Sequence, residues 1–313
     1  YDIASRLRKV LLETTRAEVV MTTREPVVGW EVPDRDRLPD RKTRVLLTDP
    51  PYRLTDPVAG VNLRWYLANA VLRRAGPGGK PIPPERTVFL SLHADSLHPS
   101  VRGAMAYVPG ERFLRSSYGR ATPFYRSFRE VRDEPVVSFT KKERVLAEGA
   151  STALAEKLIG AFRRRNLPVH QFRPVRTHVI RSGREWVPAV LRYNKIPNRV
   201  LFEVANLSNE GDRALTLTRA FRQSSAEALA EGLLAFFGGP NEAETGAGRP
   251  VASPVTSPSA VASFTQEGAA DPPVVGPWPE IAGPWPLSAG RGPVAVRPTP
   301  TPKPGPRPSR RRR

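Results

Sequence analysis

The sequence predicts an α/β fold, an open and mainly parallel sheet with helices on both faces, followed by a disordered tail. Three observations carry this. Segments with helical periodicity alternate with short runs rich in β-branched residues. Two of those runs, VFLSLHAD (residues 88–95) and RVLFEVA (residues 199–205), are apolar enough for strands covered on both faces. Beyond Gly238 periodicity stops, and 17 of the 35 prolines fall from Pro240 onward.

In order, Ile3, Leu7, Val10 and Leu11 recur at helical spacing over residues 1–15, with Asp2 at the positive end of the dipole. AEVVMT (17–22) reads as a strand and RVLLT (44–48) as another or as its continuation, separated by a polar, proline-punctuated stretch. Residues 61–75 form a helical pattern, and GPGGKPIPPE (76–85) is a loop by composition. After VFLSLHAD, RGAMAYV (102–108) is a further strand, and the aromatic, basic region to about Thr140 is read as irregular. Residues 141–165 form a long helix with Leu146, Leu154, Leu158, Ile159 and Phe162 as its buried stripe. PAVLRY (188–193) and RVLFEVA are read as strands across a turn. The last helix spans residues 219–237, with Phe221, Leu229, Leu233 and Phe236 inward.

The organisation is therefore a folded body, residues 1–238, and a Pro-rich basic tail, residues 239–313. The tail ends in PSRRRR, and its GPWPEIAGPWPLSAG (276–290) repeats a Trp-Pro unit. It has too little apolar surface to offset the entropy of ordering. The chain opens on Tyr1 directly into a helix, with no capping residue or leader, and is expected to be a fragment whose signal peptide and preceding region lie outside it.

Composition excludes several classes. With no cysteine there is no disulfide scaffold, no zinc ribbon and no thiol catalysis, although His and carboxylates remain available to a metal. No window approaches the roughly 18 consecutive apolar residues of a membrane span. The net charge is +19, and the body alone keeps 40 basic against 25 acidic residues, which favours polyanions: nucleic acid, anionic lipid or the acidic polymers of a bacterial wall. No nucleic-acid-binding pattern is legible, and a nucleic-acid reading rests on charge alone. The GPGGK around Lys80 lacks the strand and the ending of a phosphate loop, and there is no GxSxG elbow.

Two apolar strands end in residues of catalytic type: His93 and Glu203. In open parallel sheets the ligand crevice lies at the carboxyl ends of the strands, so both are expected to face one cleft. Burying an unpartnered carboxylate costs several kcal/mol, which makes Glu203 the harder to explain by packing. The alternatives are an Arg-paired structural role for Glu203 and a satisfied core imidazole for His93. His98, in SLHPS, is a loop histidine, and His170 and His178 flank a strand-like region. No two histidines have metal-ligand spacing.

SLHAD (91–95) with Arg102 and Gly103 resembles the SIHAN...G segment of the zinc-dependent N-acetylmuramoyl-L-alanine amidases, cell-wall hydrolases of the amidase type 3 family. Further matches follow in that family's order. YDIASRLRKVLLETTRAEVVMTTR resembles its first helix and the strand after it, and STALAEKL (151–158) its S..LA segment. VLRYNKIPNRVLFEVANLSNEGDRALTL is similar to its VLR...PavLvE.GFlSN..d...L stretch. The resemblance covers about residues 1–238. Ala205 and Asn206 stand where the family has Gly and Phe, Asp95 replaces Asn, and residues 26–56 and 111–140 look like additions.

The resemblance implies hydrolysis of the amide between N-acetylmuramic acid and L-alanine in peptidoglycan, by zinc-activated water with Glu203 as general base. It implies His93 as a zinc ligand, with the family's other two ligands and first strand upstream of Tyr1, so that these 313 residues alone hold no tight zinc and do not turn over. Asn209 is assigned to shaping the loop after Glu203. Peptidoglycan is the expected partner, an activator protein a further one, and the periplasm or cell exterior the expected location. The alternative is a degenerate, non-catalytic amidase fold that binds wall or a partner protein.

Overall fold

A computed structural model describes residues 1–26, 29–32, 43–74, 76, 79–120, 122–181 and 183–238. The expected tail, residues 239–313, lies outside the described residues.

The elements in chain order are α1 (Asp2–Thr14), β1 (Thr23–Arg24), β2 (Val45–Leu46), β3 (Tyr52–Arg53), α2 (Pro57–Arg73), β4 (Val88–Asp95), β5 (Met105–Tyr107) and β6 (Ser117–Gly119). They continue with α3 (Pro123–Arg126), α4 (Arg129–Asp133), β7 (Val136–Ser138), α5 (Lys141–Arg164), β8 (Val175–Arg176), β9 (Val179–Arg181), β10 (Arg184–Trp186), α6 (Ala189–Arg192), β11 (Asn198–Asn206), α7 (Glu210–Leu217) and α8 (Arg219–Phe236). The central sheet has the order β4-β11-β5-β8. β4 runs parallel to β11 and β5 to β8, while β5 and β11 are antiparallel, so the sheet is mainly parallel as expected.

Period-two alternation gives the sheet two apolar faces. On one, Ala106, Val200, Phe202 and Val204 join Leu7 and Leu11 of α1, Leu154, Leu158 and Phe162 of α5, and Phe221 and Leu229 of α8. Gly232 lets α8 approach α5 closely, since a Cβ there would stand 2.8 Å from the Leu158 Cα. A buried ion cluster locks α1 to α8: Asp2 Oδ1 accepts from Arg6 Nε at 2.9 Å and from Arg222 Nε at 2.7 Å. On the other face, Phe89, Met105, Tyr107 and Leu201 pack with Ala68 of α2 and with Val190 and Leu191 of α6.

Several sequence expectations need correction. Residues 17–22 carry no ladder pairing; the β-branched run favours a pleated backbone, but only Val19 finds core packing, and pairing starts at Thr23. β2 belongs to a small antiparallel sheet, β1-β2-β3, and not to the central one. Within residues 188–193 the chain forms α6 (Ala189–Arg192) instead of a strand: Pro188 cannot donate to a ladder, and the buried Arg199 donates from Nε to the Leu191 carbonyl at 2.7 Å. Leu146 is 60% exposed, while Leu154, Leu158, Ile159 and Phe162 are buried as expected. A capping box between Thr140 and Glu143 starts α5, with Glu143 N donating to Thr140 Oγ1 at 3.2 Å and Thr140 N to Glu143 Oε2 at 2.7 Å.

The described residues of the segment 111–140 form regular elements. Its β6-β7 hairpin, α3 and α4 bury Tyr125, Phe128, Val131, Val137 and Phe139 against Leu63, Trp65, Tyr66 and Leu67 of α2. Leu46 and Leu54 join the same core, and Asp49 N donates to both Glu130 carboxylate oxygens at 3.0 and 3.1 Å. Leu46, Asp49 and Leu54 of the first apparent addition thus pack with the described part of the second around α2.

Candidate active site

β4 and β11 run parallel, so residues in register point to the same side. His93 pairs with Glu203, and Glu203 also stands opposite Met105 of β5. This register sets His93 and Glu203 side by side toward the carboxyl ends of the two strands. Ser91, His93 and Asp95 alternate along β4 on that side, and Ser91 Oγ lies 2.9 Å from His93 Nε2.

Glu203 is 1% exposed, and neither carboxylate oxygen has a hydrogen-bond partner among the described residues. Burial raises its pKa well above the ordinary range, and the charge of Asp95 adds to the rise. Asp95 is also buried; it accepts from Ser96 N at 2.8 Å and from the Tyr107 hydroxyl at 3.5 Å. Burial raises the Asp95 pKa, opposed by the Ser96 bond and by the charge of Arg176. Burial likewise raises that of Tyr107. His93 is part-buried, and desolvation lowers its pKa to about 4, helped by Arg64 of α2. The imidazole is therefore neutral at pH 7, the state in which histidine binds metal or accepts a proton.

The strand ends are held by side chains of the following loop. A register shift lies between Glu203 and Asn206. Asn206 is fully buried and uses its whole amide: Oδ1 accepts from Leu97 N at 2.9 Å and Ser208 N at 3.1 Å, and Nδ2 donates to the carbonyls of His98 at 3.0 Å and Val101 at 2.6 Å. Asn209 caps α7 by accepting from Asp212 N at 3.0 Å, and donates to the Pro99 carbonyl at 2.7 Å. The buried Asp212 accepts from the backbone amides of Gly103 at 2.6 Å and Asn206 at 3.0 Å. Gly103 has φ +87°, and a Cβ there would lie 2.6 Å from the Val169 carbonyl carbon.

The other histidines stand apart from the pair. His98 is exposed, its Nδ1 2.8 Å from Ser100 Oγ. His178 Nε2 lies 3.3 Å from Glu185, and His170 Nε2 lies 3.3 Å from Arg176 Nη2. Asp95, Tyr107, Arg176 and Arg64 were not singled out as site residues from sequence. Only Asp95 left a usable signal, lying two residues after His93 on a strand. Among the described residues no group of three or more His, Asp or Glu is placed to hold a metal ion. His93 offers one donor suited to zinc; the described residues do not complete a cage.

Residues 82–235 match the family described as N-acetylmuramoyl-L-alanine amidase. No curated protein matches the chain. Solved structures similar to it include an N-acetylmuramyl-L-alanine amidase from Mycobacterium smegmatis, 18% identical, with a TM-score of 0.34 over 61% of this chain and 80% of that one. The catalytic domain of an N-acetylmuramoyl-L-alanine amidase from Bacillus (Paenibacillus) polymyxa var. colistinus is 18% identical, with a TM-score of 0.36 over 75% of this chain and 81% of that one. An amidase from Clostridioides difficile, solved in complex with a lipoprotein, is 15% identical, with a TM-score of 0.40 over 75% and 84%.

Proposed function

The chain belongs, through residues 82–235, to the N-acetylmuramoyl-L-alanine amidase family, and from that premise we propose that its parent hydrolyses the amide joining the lactyl group of N-acetylmuramic acid to L-alanine in peptidoglycan. One observation carries the assignment of roles: the buried, unpartnered carboxylate of Glu203 stands in register with the neutral imidazole of His93.

Glu203 is the general base in this proposal. Its raised pKa makes the carboxylate a stronger base than a solvated one, so it takes a proton from the attacking water and returns it to the departing alanine nitrogen. His93 is one ligand of a zinc ion in this proposal, and the described residues do not supply the rest of the set. Zinc, when bound, acidifies water and polarises the scissile carbonyl. The catalytic body is residues 1–238, the tail is residues 239–313, and the reaction takes place in the periplasm or outside the cell.

The deciding experiment compares the full-length parent with its Glu203→Gln variant for zinc content and release of peptide from purified wall. The proposal expects about one zinc per chain in both and cleavage only by the unmodified protein. A second reading, a wall-binding amidase fold without turnover, is favoured by the lack of a three-donor group among the described residues. Wall binding with no metal in either protein would establish that reading instead.

A further inference from the structure

The side of α5 turned away from the core carries apolar surface that neither the packing of the body nor the chemistry at Glu203 uses. At about 100° per residue, Lys142, Val145, Gly149, Ala153 and Glu156 fall within about 40° of one line along the helix, and Leu146 and Thr152 border it at about 60° on either side. The residues that pack inward, among them Ala147, Ser151, Leu154 and Leu158, lie on the opposite side. Val145 is 53% exposed and Leu146 60%, and Gly149 and Ala153 between and beyond them are exposed too. Val145, Gly149, Thr152 and Glu156 line a shallow groove.

Gly149 marks the middle of this line. After proline, glycine is the least favourable residue in a helix interior, and elsewhere in the fold its use has a visible reason: a Cβ at Gly232 would meet the Leu158 backbone. A Cβ at Gly149 would meet nothing within 4 Å. Packing within the described body does not ask for glycine there, whereas a backbone approaching from outside would.

The charges identify that backbone. Lys142 and Glu156 stand seven residues to either side of Gly149, about 10 Å along the axis each way. Both are exposed, and neither has an ion-pair partner among the described residues. Turning a second α5 end for end about a two-fold axis at Gly149 brings Lys142 of each copy level with Glu156 of the other, so the pair forms twice. The same operation sets Val145 opposite Ala153 and Leu146 opposite Thr152, a large side chain against a small one each time. Lys141 and Lys157, about 80° off the line, fall on opposite edges of the helix pair, where their like charges stay apart. A parallel pair would instead set Lys142 against Lys142 and Glu156 against Glu156, which repel. A two-fold contact has to be complementary to itself, and this line is so in the antiparallel sense alone.

We propose that the outer face of α5 is the contact of a two-fold dimer, in which a second copy of this chain lays its own α5 antiparallel across the first at Gly149. The dimer does not depend on the reaction at Glu203. One helix pair is smaller than the interface of an obligate dimer, so association is reversible, with a dissociation constant on the order of 10–100 µM.

Sedimentation equilibrium of the full chain, from about 5 to about 200 µM, is the test, since that range brackets the expected constant. Lys142→Glu and Glu156→Lys, at exposed positions, should each weaken the dimer roughly tenfold, because each sets like charges together twice. The double variant Lys142→Glu with Glu156→Lys should regain native association, since both pairs return with their signs exchanged. Gly149→Gln should abolish association by holding the helices apart, while its unfolding midpoint stays at least as high as that of the native chain. A native chain that is monomeric at the highest concentration overturns the proposal. So does a dimer indifferent to the single charge changes, whose contact lies elsewhere, and so does a double variant as weak as the singles, which excludes the antiparallel register.

Discussion

Glu203 and His93 face each other across two parallel strands, one in register with the other, and their pKa values are displaced in opposite directions by the same cause. Desolvation favours the neutral form of each, raising the carboxyl and lowering the imidazole. The result is a buried acid-base pair in which neither partner is charged cheaply.

For Glu203 this has a stability consequence. Its folded pKa lies above its unfolded one of about 4.3, so the folded protein keeps a proton that the unfolded chain has released. The contribution is therefore full at low pH and is lost as pH rises above that value. Glu203→Gln cannot ionise and should be more stable than the native protein at pH 7.5, by about 1 kcal/mol or more, with the gap closing at pH 4. Denaturant midpoints at the two pH values measure this; a gap independent of pH would show that the carboxylate is solvated.

His93 gives the opposite slope. Its folded pKa of about 4 lies below the unfolded value of about 6.5, so the unfolded chain takes up a proton first as pH falls. The stabilisation is complete above pH 6.5 and is lost between there and about 4. His93→Asn should flatten acid unfolding in that window, followed by circular dichroism.

Asn206 and Asn209 separate a buried hub from an exposed cap. Asn206→Ala leaves two backbone amides and two carbonyls without their partner and should cost about 3 kcal/mol. Asn209→Ala removes one helix cap and should cost about 1 kcal/mol. Equal losses in urea unfolding would contradict the assignment.

Gly103→Ala should cost roughly 3 kcal/mol or more, because positive φ and the Val169 backbone oppose a Cβ together. Loss of soluble folded protein, against normal yield for Gly149→Ala on the open face of α5, is the expected outcome.

The sequence makes the strand pair legible because VFLSLHAD and RVLFEVA are apolar runs interrupted by His93 and Glu203, a pattern that packing alone does not produce. It misleads where a local preference lacks a tertiary partner. PAVLRY has strand composition, yet Pro188 and the buried Arg199 favour a helical turn. Leu146 fits the α5 stripe by spacing, yet lies where none of the described elements covers it. The order of the described residues in 111–140 is invisible locally because its aromatics find their core against α2, a partner remote in the sequence. Asn206 departs from the family's Phe, and its role is legible only once the carbonyls of His98 and Val101 are in place around it.

That hub bears on how the site opens. The ends of β4 and β11 and the turn between residues 96 and 103 are tied by one side chain, so local unfolding there should proceed as a single cooperative unit and not strand by strand. Amide protons of Leu97 and Ser208, which both donate to Asn206 Oδ1, should then exchange with solvent at a common rate set by one opening, and the buried Glu203 carboxylate would meet bulk water only when both are released together.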